Sequence, residues 1–145
     1  MTQAAIPAGI AALVASGVVL VAGQQVPAAP VFTVQQATAG RAVYAKHCAS
    51  CHMPDLSGNV EYPPLEGAAF MSTWGTRSTK DFYDYMSAAM PYGAPSLSEE
   101  DYTSITAYIL QSNGAVAGAD ALTASTAVPI SRVTSPPASP SPSSR

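Results

Sequence analysis

Apolar and small residues recur at helical spacing in three stretches of the chain. Across residues 35–48, Ala37, Gly40, Val43, Tyr44 and His47 fall at i, i+3 and i+4, the period of one helix face. Across residues 79–90 the face is Phe82, Met86, Ala89 and Met90. Ser78 stands at its N-cap with Asp81 three residues on, a variant of the capping box, and Pro91 stops it. Across residues 99–113 the face is Tyr102, Ile105, Tyr108 and Ile109. Ser98 caps this helix, Glu99, Glu100 and Asp101 sit in the first turn where the dipole favours them, and Gly114 follows as a stop. Residues 53–77 carry Pro54, Gly58, Pro63, Pro64, Gly67 and Gly75, and read as loop with at most a short helix. No stretch alternates with a period of two, so the pattern predicts an all-α fold with three main helices.

The two ends of the chain read differently. Residues 6–23 are an unbroken run of Ala, Val, Gly, Ile, Leu, Pro and Ser, close to the about 20 residues that a membrane span needs. Val21, Ala22 and Gly23, followed by Gln24 and Gln25, suit a signal-peptidase site. Residues 1–23 therefore read as a signal peptide in preference to a retained N-terminal anchor, although no Lys or Arg precedes the run. Residues 24–34 are a linker broken by Pro27 and Pro30. Residues 115–145 form an Ala/Ser/Pro-rich tail, expected to be largely disordered because it holds too little apolar surface to offset chain entropy. Leu122, Val128 and Ile130 leave open that residues 115–130 lie along the domain.

Composition narrows the picture. A chain of 145 residues holds one domain. Its net charge is −3 and it has no cluster of Lys or Arg, which excludes nucleic acid as a partner class. Nearly all the charge lies between Arg41 and Asp101, so the folded core is residues 35–114. A helical core of that size, interrupted by a long loop, is marginal without a staple. Something other than side chains is expected to fill its centre.

The chemistry sits in residues 48–52, CASCH. C-x-x-C-H is the attachment sequence of c-type haem. Two thiols one helical turn apart can add to two vinyl groups along one porphyrin edge. The residue that follows then brings its imidazole over the same face. The rival readings are weaker. A thioredoxin-like redox pair needs a strand–helix–strand context. A structural zinc site needs a fourth ligand, and His47 is the only spare histidine. His47 itself is expected to face solvent on the proximal side.

Four segments widen the match: Gly40 with the RAVYAKHCASCH that follows it (41–52), YPPLEG (62–67), MPYGAPSLSEEDY (90–102) and AYILQSNG (107–114). Through them the chain resembles the single-haem class I cytochromes c, and among these the small periplasmic ones associated with quinoprotein alcohol dehydrogenases. The resemblance implies a small cytochrome c domain, its three main helices around one covalent haem c and its iron. It implies Cys48 and Cys51 as attachment points and His52 as the proximal ligand. It also implies a distal methionine in the loop before the last helix, where Met90 stands, with Met71 and Met86 as rivals. A proline carbonyl that accepts a hydrogen bond from the proximal imidazole is implied at Pro63. Trp74, Arg77 and Lys80 could meet propionates or simply pack.

The expected function is one-electron transport by a His/Met-ligated haem, with no catalytic turnover by this chain alone. The resemblance implies a periplasmic dehydrogenase as donor and an oxidase or another cytochrome as acceptor. Membrane association is expected only if the N-terminal segment is retained. The competing class is a haem subunit of an enzyme complex, or a haem sensor, with a displaceable distal ligand. Between residues 35 and 114, 8 acidic residues face 4 basic ones, which would favour a basic patch on a partner.

Overall fold

A computed structural model describes residues 30–134; the expected leader at 1–23, most of the linker and residues 135–145 of the tail lie outside the described residues. Six helices follow in order: α1 (Val34–His47), α2 (Ala49–His52), α3 (Gly67–Trp74), α4 (Thr79–Ala89), α5 (Glu99–Ser112) and α6 (Ile130–Thr134). Among the described residues there is no strand, only an isolated bridge between Ser78 and Pro129. The three helices expected from periodicity are α1, α4 and α5, and α3 is the short helix that the loop allowed.

Each main helix starts with a complete capping box. In α1, the Gln36 N–H donates to Thr33 Oγ1 at 3.2 Å and the Thr33 N–H donates to Gln36 Oε1 at 3.3 Å. Ser78 with Asp81 does the same for α4, and Ser98 with Asp101 for α5. These reciprocal bonds satisfy donors that a helix start leaves unpaired.

The main helix–helix contact is α1 against α5. Gly40 makes it possible: a Cβ there would lie 1.8 Å from the Ser104 carbonyl oxygen. Around this crossing, Ala37, Tyr44, Ile105 and Ile109 are buried, and the Tyr44 and Tyr108 rings meet at 5.4 Å. Periodicity gave α5 a single apolar face, yet Thr103, Ser104, Thr106 and Ala107 are buried too. The reason is position: α5 also packs on α4 and α6 and is covered on several sides. The Thr106 hydroxyl tolerates burial by donating to the Tyr102 carbonyl at 2.8 Å. A second aromatic group, Phe70, Trp74 and Phe82, joins α3 to α4, with ring centroids 4.8–5.3 Å apart.

The domain does not stop at Gly114. Residues 115–134 run back over the helices as a strap, which corrects the boundary at 114 and the expectation of disorder for that part of the tail. The anchors are few. Leu122, Ile130 and Val133 are buried. The Gln36 side chain pairs with the Leu122 backbone through two bonds of 2.8 Å. The Gly118 N–H donates to Phe32 O at 2.8 Å, the Thr79 N–H to Val128 O at 2.9 Å, and the Ile130 N–H to Arg77 O at 2.9 Å. The packing of Leu122 and Ile130 is the alternative that these apolar residues left open for 115–130; the backbone bonding beside it needs no hydrophobic periodicity and leaves no trace in composition.

Candidate functional site

One cavity of about 810 Å³ lies between α1, the 53–66 loop, α3, α4 and the turn after α4. Cys48, Cys51, His52, Pro63, Met86 and Met90 all line it, and so do Tyr44, Leu65, Phe70, Phe82, Ile105 and Ile109, which make its walls largely apolar. Of the residues expected from sequence, the structure brings Cys48, Cys51, His52, Pro63 and Met90 together at this one space.

Local structure presents the attachment residues. Cys48 ends α1 and begins α2, with its N–H donating to Tyr44 O at 2.8 Å. The Cys51 and His52 N–H groups then donate to Cys48 O at 3.1 and 3.0 Å. This single turn sets both thiols and the imidazole on the cavity wall. Both cysteines are free thiols and half-buried. Burial, and next the neighbouring Cys51, pushes the Cys48 thiol up to about 11, so it stands neutral at physiological pH. Burial likewise raises the Tyr44 phenol, with Cys48 the next cause, and that phenol donates to Met53 O at 2.7 Å. A hydrogen bond with the Cys51 side chain raises the Tyr62 phenol.

His52 is buried. Its Nδ1 lies 2.9 Å from the Pro63 carbonyl oxygen. A carbonyl only accepts, so Nδ1 carries the proton and Nε2 keeps the lone pair. The 53–66 loop that delivers Pro63 is tied by the Gly58 N–H to His52 O at 3.1 Å and the Leu65 N–H to Leu56 O at 2.8 Å. Asn59 Oδ1 accepts from the Glu61 and Tyr62 N–H groups at 2.9 and 3.0 Å. Gly58 adopts φ +62, and a Cβ there would fall 2.5 Å from the Tyr62 carbonyl oxygen.

On the other side, Met90 is the C-cap of α4 and has left the helix for an extended backbone (φ −125, ψ 144). Its N–H still donates to Met86 O at 2.8 Å, and its carbonyl accepts from the Tyr102 hydroxyl of α5. Met86 is buried and also lines the cavity. Met71 does not: its sulfur accepts from Thr134 Oγ1 at 3.5 Å, under the strap. Of the two rivals to Met90, only Met86 borders this space.

The outer residues divide. Trp74 and Arg77 both line the cavity, with the guanidinium 4.9 Å from the indole centroid. Lys80 does not line it and bonds Asp84 instead, at 2.6 Å. His47, expected to face solvent, is half-buried and borders the cavity. Tyr102 and Asn113 were missed as polar anchors. A tyrosine on a buried helix face was the available signal, since its hydroxyl needs a partner.

This lining fits a porphyrin carrying iron. The walls are apolar, two unpaired thiols stand one turn apart, one imidazole nitrogen keeps a free lone pair, and thioethers border the same space. Among the described residues no group of three or more His, Cys, Asp or Glu could hold a metal ion by side chains alone, so the donor set suits a macrocycle better than a bare cation.

The family match agrees with this geometry. Residues 35–109 match the family described as cytochrome c oxidase, cbb3-type, subunit III. None of the curated proteins matches the chain. Among solved structures, the sulfane dehydrogenase SoxCD from Paracoccus pantotrophus is similar at 30% identity with a TM-score of 0.49. That match covers 68% of this chain and 50% of the SoxCD chain, so this protein spans half the length of the chain it resembles. The chain belongs to the cbb3-type subunit III family of c-type cytochrome domains, as a small all-α class I cytochrome c whose cofactor is haem c.

Proposed function

We propose that the protein is an exported, periplasmic one-electron carrier in which a single haem is bound covalently through Cys48 and Cys51, with His52 and Met90 as the axial pair. One observation carries the reading. The Pro63 carbonyl occupies His52 Nδ1, which leaves Nε2 as the donor nitrogen in the cavity that both thiols and Met90 border. When bound, haem c would supply one-electron chemistry, and with His52 and Met90 as the residues that hold its iron it would offer a substrate no open site.

The chain's own groups then have distinct tasks. Cys48 and Cys51 tether the group. Pro63 fixes the imidazole ring and raises its basicity by accepting the Nδ1 proton bond. Phe70, Phe82, Ile105 and Ile109 exclude water, which limits reorganisation when charge changes. Arg77, exposed and stacked on the buried Trp74 ring, lines the same cavity, where a cationic guanidinium favours an anionic substituent.

The partners follow from charge and surface. Asp81 on the first turn of α4 and Glu99 and Glu100 on the first turn of α5 are exposed. At the cavity rim Tyr92 is 90% exposed. Exposed carboxylates and an exposed aromatic at the cavity mouth suit transient docking on a basic patch, with association that weakens as salt rises. A dehydrogenase as donor and a terminal oxidase or another cytochrome as acceptor fit this chemistry, and the family's description names an oxidase subunit. Export rests on the apolar run at 6–23.

The test is spectroscopic and covalent together. The exported protein should keep its colour through acid–acetone extraction and denaturing electrophoresis, and its mass should include one haem and lack the leader. Its ferric form should show the sulfur-to-iron charge-transfer band at the red edge of the visible spectrum. That band should vanish in Met90→Ala and persist in Met71→Leu and Met86→Leu. A colourless chain refutes attachment, and a band that survives Met90→Ala refutes the distal assignment.

A further inference from the structure

We infer that α5 acts as a ruler between the two loops that carry the axial ligands, through Tyr102 at its start and Asn113 just past its end. The inference rests on the His52/Met90 reading above.

At the distal end, the Tyr102 ring is 4% exposed and its hydroxyl donates to the Met90 carbonyl. The Met90 N–H is already committed to Met86 O. Both polar groups of the Met90 backbone are therefore held, one by its own helix and one by α5. Beyond it, residues 92–96 are exposed. The backbone bond made within this turn is from the Ala94 N–H to Pro91 O at 3.0 Å. The Tyr102 hydroxyl is thus the tie from α5 to the backbone at Met90.

At the proximal end, the Asn113 side chain makes three bonds, one each to the 53–66 loop, the first residue of α3 and α5. Nδ2 donates to Leu65 O at 3.0 Å and to Ile109 O at 2.9 Å, while Oδ1 accepts from the Gly67 N–H at 2.9 Å. Leu65 and Gly67 follow Pro63 by two and four residues. The same amide that closes α5 therefore pins the loop that holds the His52 ring.

The two anchors are 11 residues apart on a helix buried along most of its length, a separation of about 16 Å at about 1.5 Å per residue. A packed helix does not stretch, so the distance between the loops is fixed by the chain and not by the ligand bonds. Each anchor is a polar group whose removal leaves the apolar packing in place.

Because the two anchors serve opposite ligands, their loss has opposite electronic signs. Loosening Met90 weakens the thioether contact, which otherwise raises the potential. Loosening the Pro63 loop weakens the hydrogen bond that makes His52 more basic, and a less basic imidazole favours the reduced state. General destabilisation has no reason to split the signs this way.

The experiment uses the haem-loaded full chain and the variants Tyr102→Phe, Asn113→Ala and, as a control at the same helix end, Ser112→Ala. Reduction potential is read by spectroscopic titration, and distal openness by the affinity for added imidazole, which competes with the methionine. Tyr102→Phe should lower the potential and raise the imidazole affinity about fivefold, the equivalent of one hydrogen bond. Asn113→Ala should raise the potential and leave imidazole affinity unchanged, and Ser112→Ala should change neither. Shifts of the same sign in the first two variants, or an unchanged imidazole affinity in Tyr102→Phe, overturn the inference while the parent's charge-transfer band upholds the ligand pair. A parent protein without that band takes down the ligand pair itself.

Discussion

Substituting Gly40 by alanine tests the packing that the whole domain is built on. On an exposed helix this change stabilises, because alanine exceeds glycine by about 0.8–1.0 kcal/mol in helix propensity. At position 40 the added Cβ would lie 1.8 Å from Ser104 O, 2.3 Å from Ser104 C and 2.9 Å from Ile105 N. All three are backbone atoms of α5, so no side chain can rotate away. To reach ordinary contact, α1 must withdraw from α5 by about 1.5 Å, and a gap of that size forfeits much of the dispersion energy along the crossing. Overpacking costs about 1–3 kcal/mol and occasionally more. With a rigid obstacle, about 3 kcal/mol is the reasonable figure, leaving about 2 kcal/mol of net loss after the propensity gain. Such a loss lowers the melting temperature by at least about 8 °C in a domain of this size. Calorimetry or far-ultraviolet dichroism on the haem-loaded protein measures it directly. A Gly40→Ala protein as stable as its parent, or more so, refutes the close crossing.

Three more outcomes follow from the same structure. Ile130→Ala should cost about 2–5 kcal/mol in urea unfolding, because Ile130 is fully buried at the end of the strap; no change would mean that residues 115–134 do not pack. Gln36→Ala removes both bonds to the Leu122 backbone and one bond of the α1 cap. It should cost about 2 kcal/mol and speed amide exchange at Leu122. Ser78→Ala should cost about 1 kcal/mol through the lost cap of α4. Bonds from the Ser78 backbone and hydroxyl hold the Asp81 carboxyl below its usual range. A folded value below the unfolded one stabilises above the ordinary carboxylate value of about 4 and fades as pH falls through the lowered value. Ser78→Ala keeps the backbone bond and loses the hydroxyl's, so it should make that acid limb of the stability–pH profile shallower without removing it.

The legible part of this protein was local. C-x-x-C-H names its chemistry within five residues, and Ser78 and Ser98 announce helix starts through bonds to residues three positions away. Pro91 marked the point where Met90 leaves α4. The parts that escaped depend on partners remote in sequence. Gln36 reads as an exposed helical residue until Leu122, 86 positions later, accepts and donates at its amide. Asn113 reads as the last residue of a helix that Gly114 stops, until Leu65 and Gly67 arrive. The strap was only half legible: Leu122 and Ile130 hinted at it, while the backbone bonds that hold it leave no periodic pattern. Met71 could be separated from the ligand candidates only in three dimensions, since nothing local places its sulfur against Thr134.

The bond between Gln36 and Leu122 has a consequence for biosynthesis. At about 5–20 residues per second, a ribosome needs about 4–17 s to make the stretch separating the two. Throughout that interval the beginning of α1 lacks its partner, and Thr79 awaits Val128 in the same way. Long-range closure of this kind is slow and comes late. The chain therefore stays pliable while both cysteines are already made, and α1 and α4 gain these bonds only once Leu122 and Val128 are present.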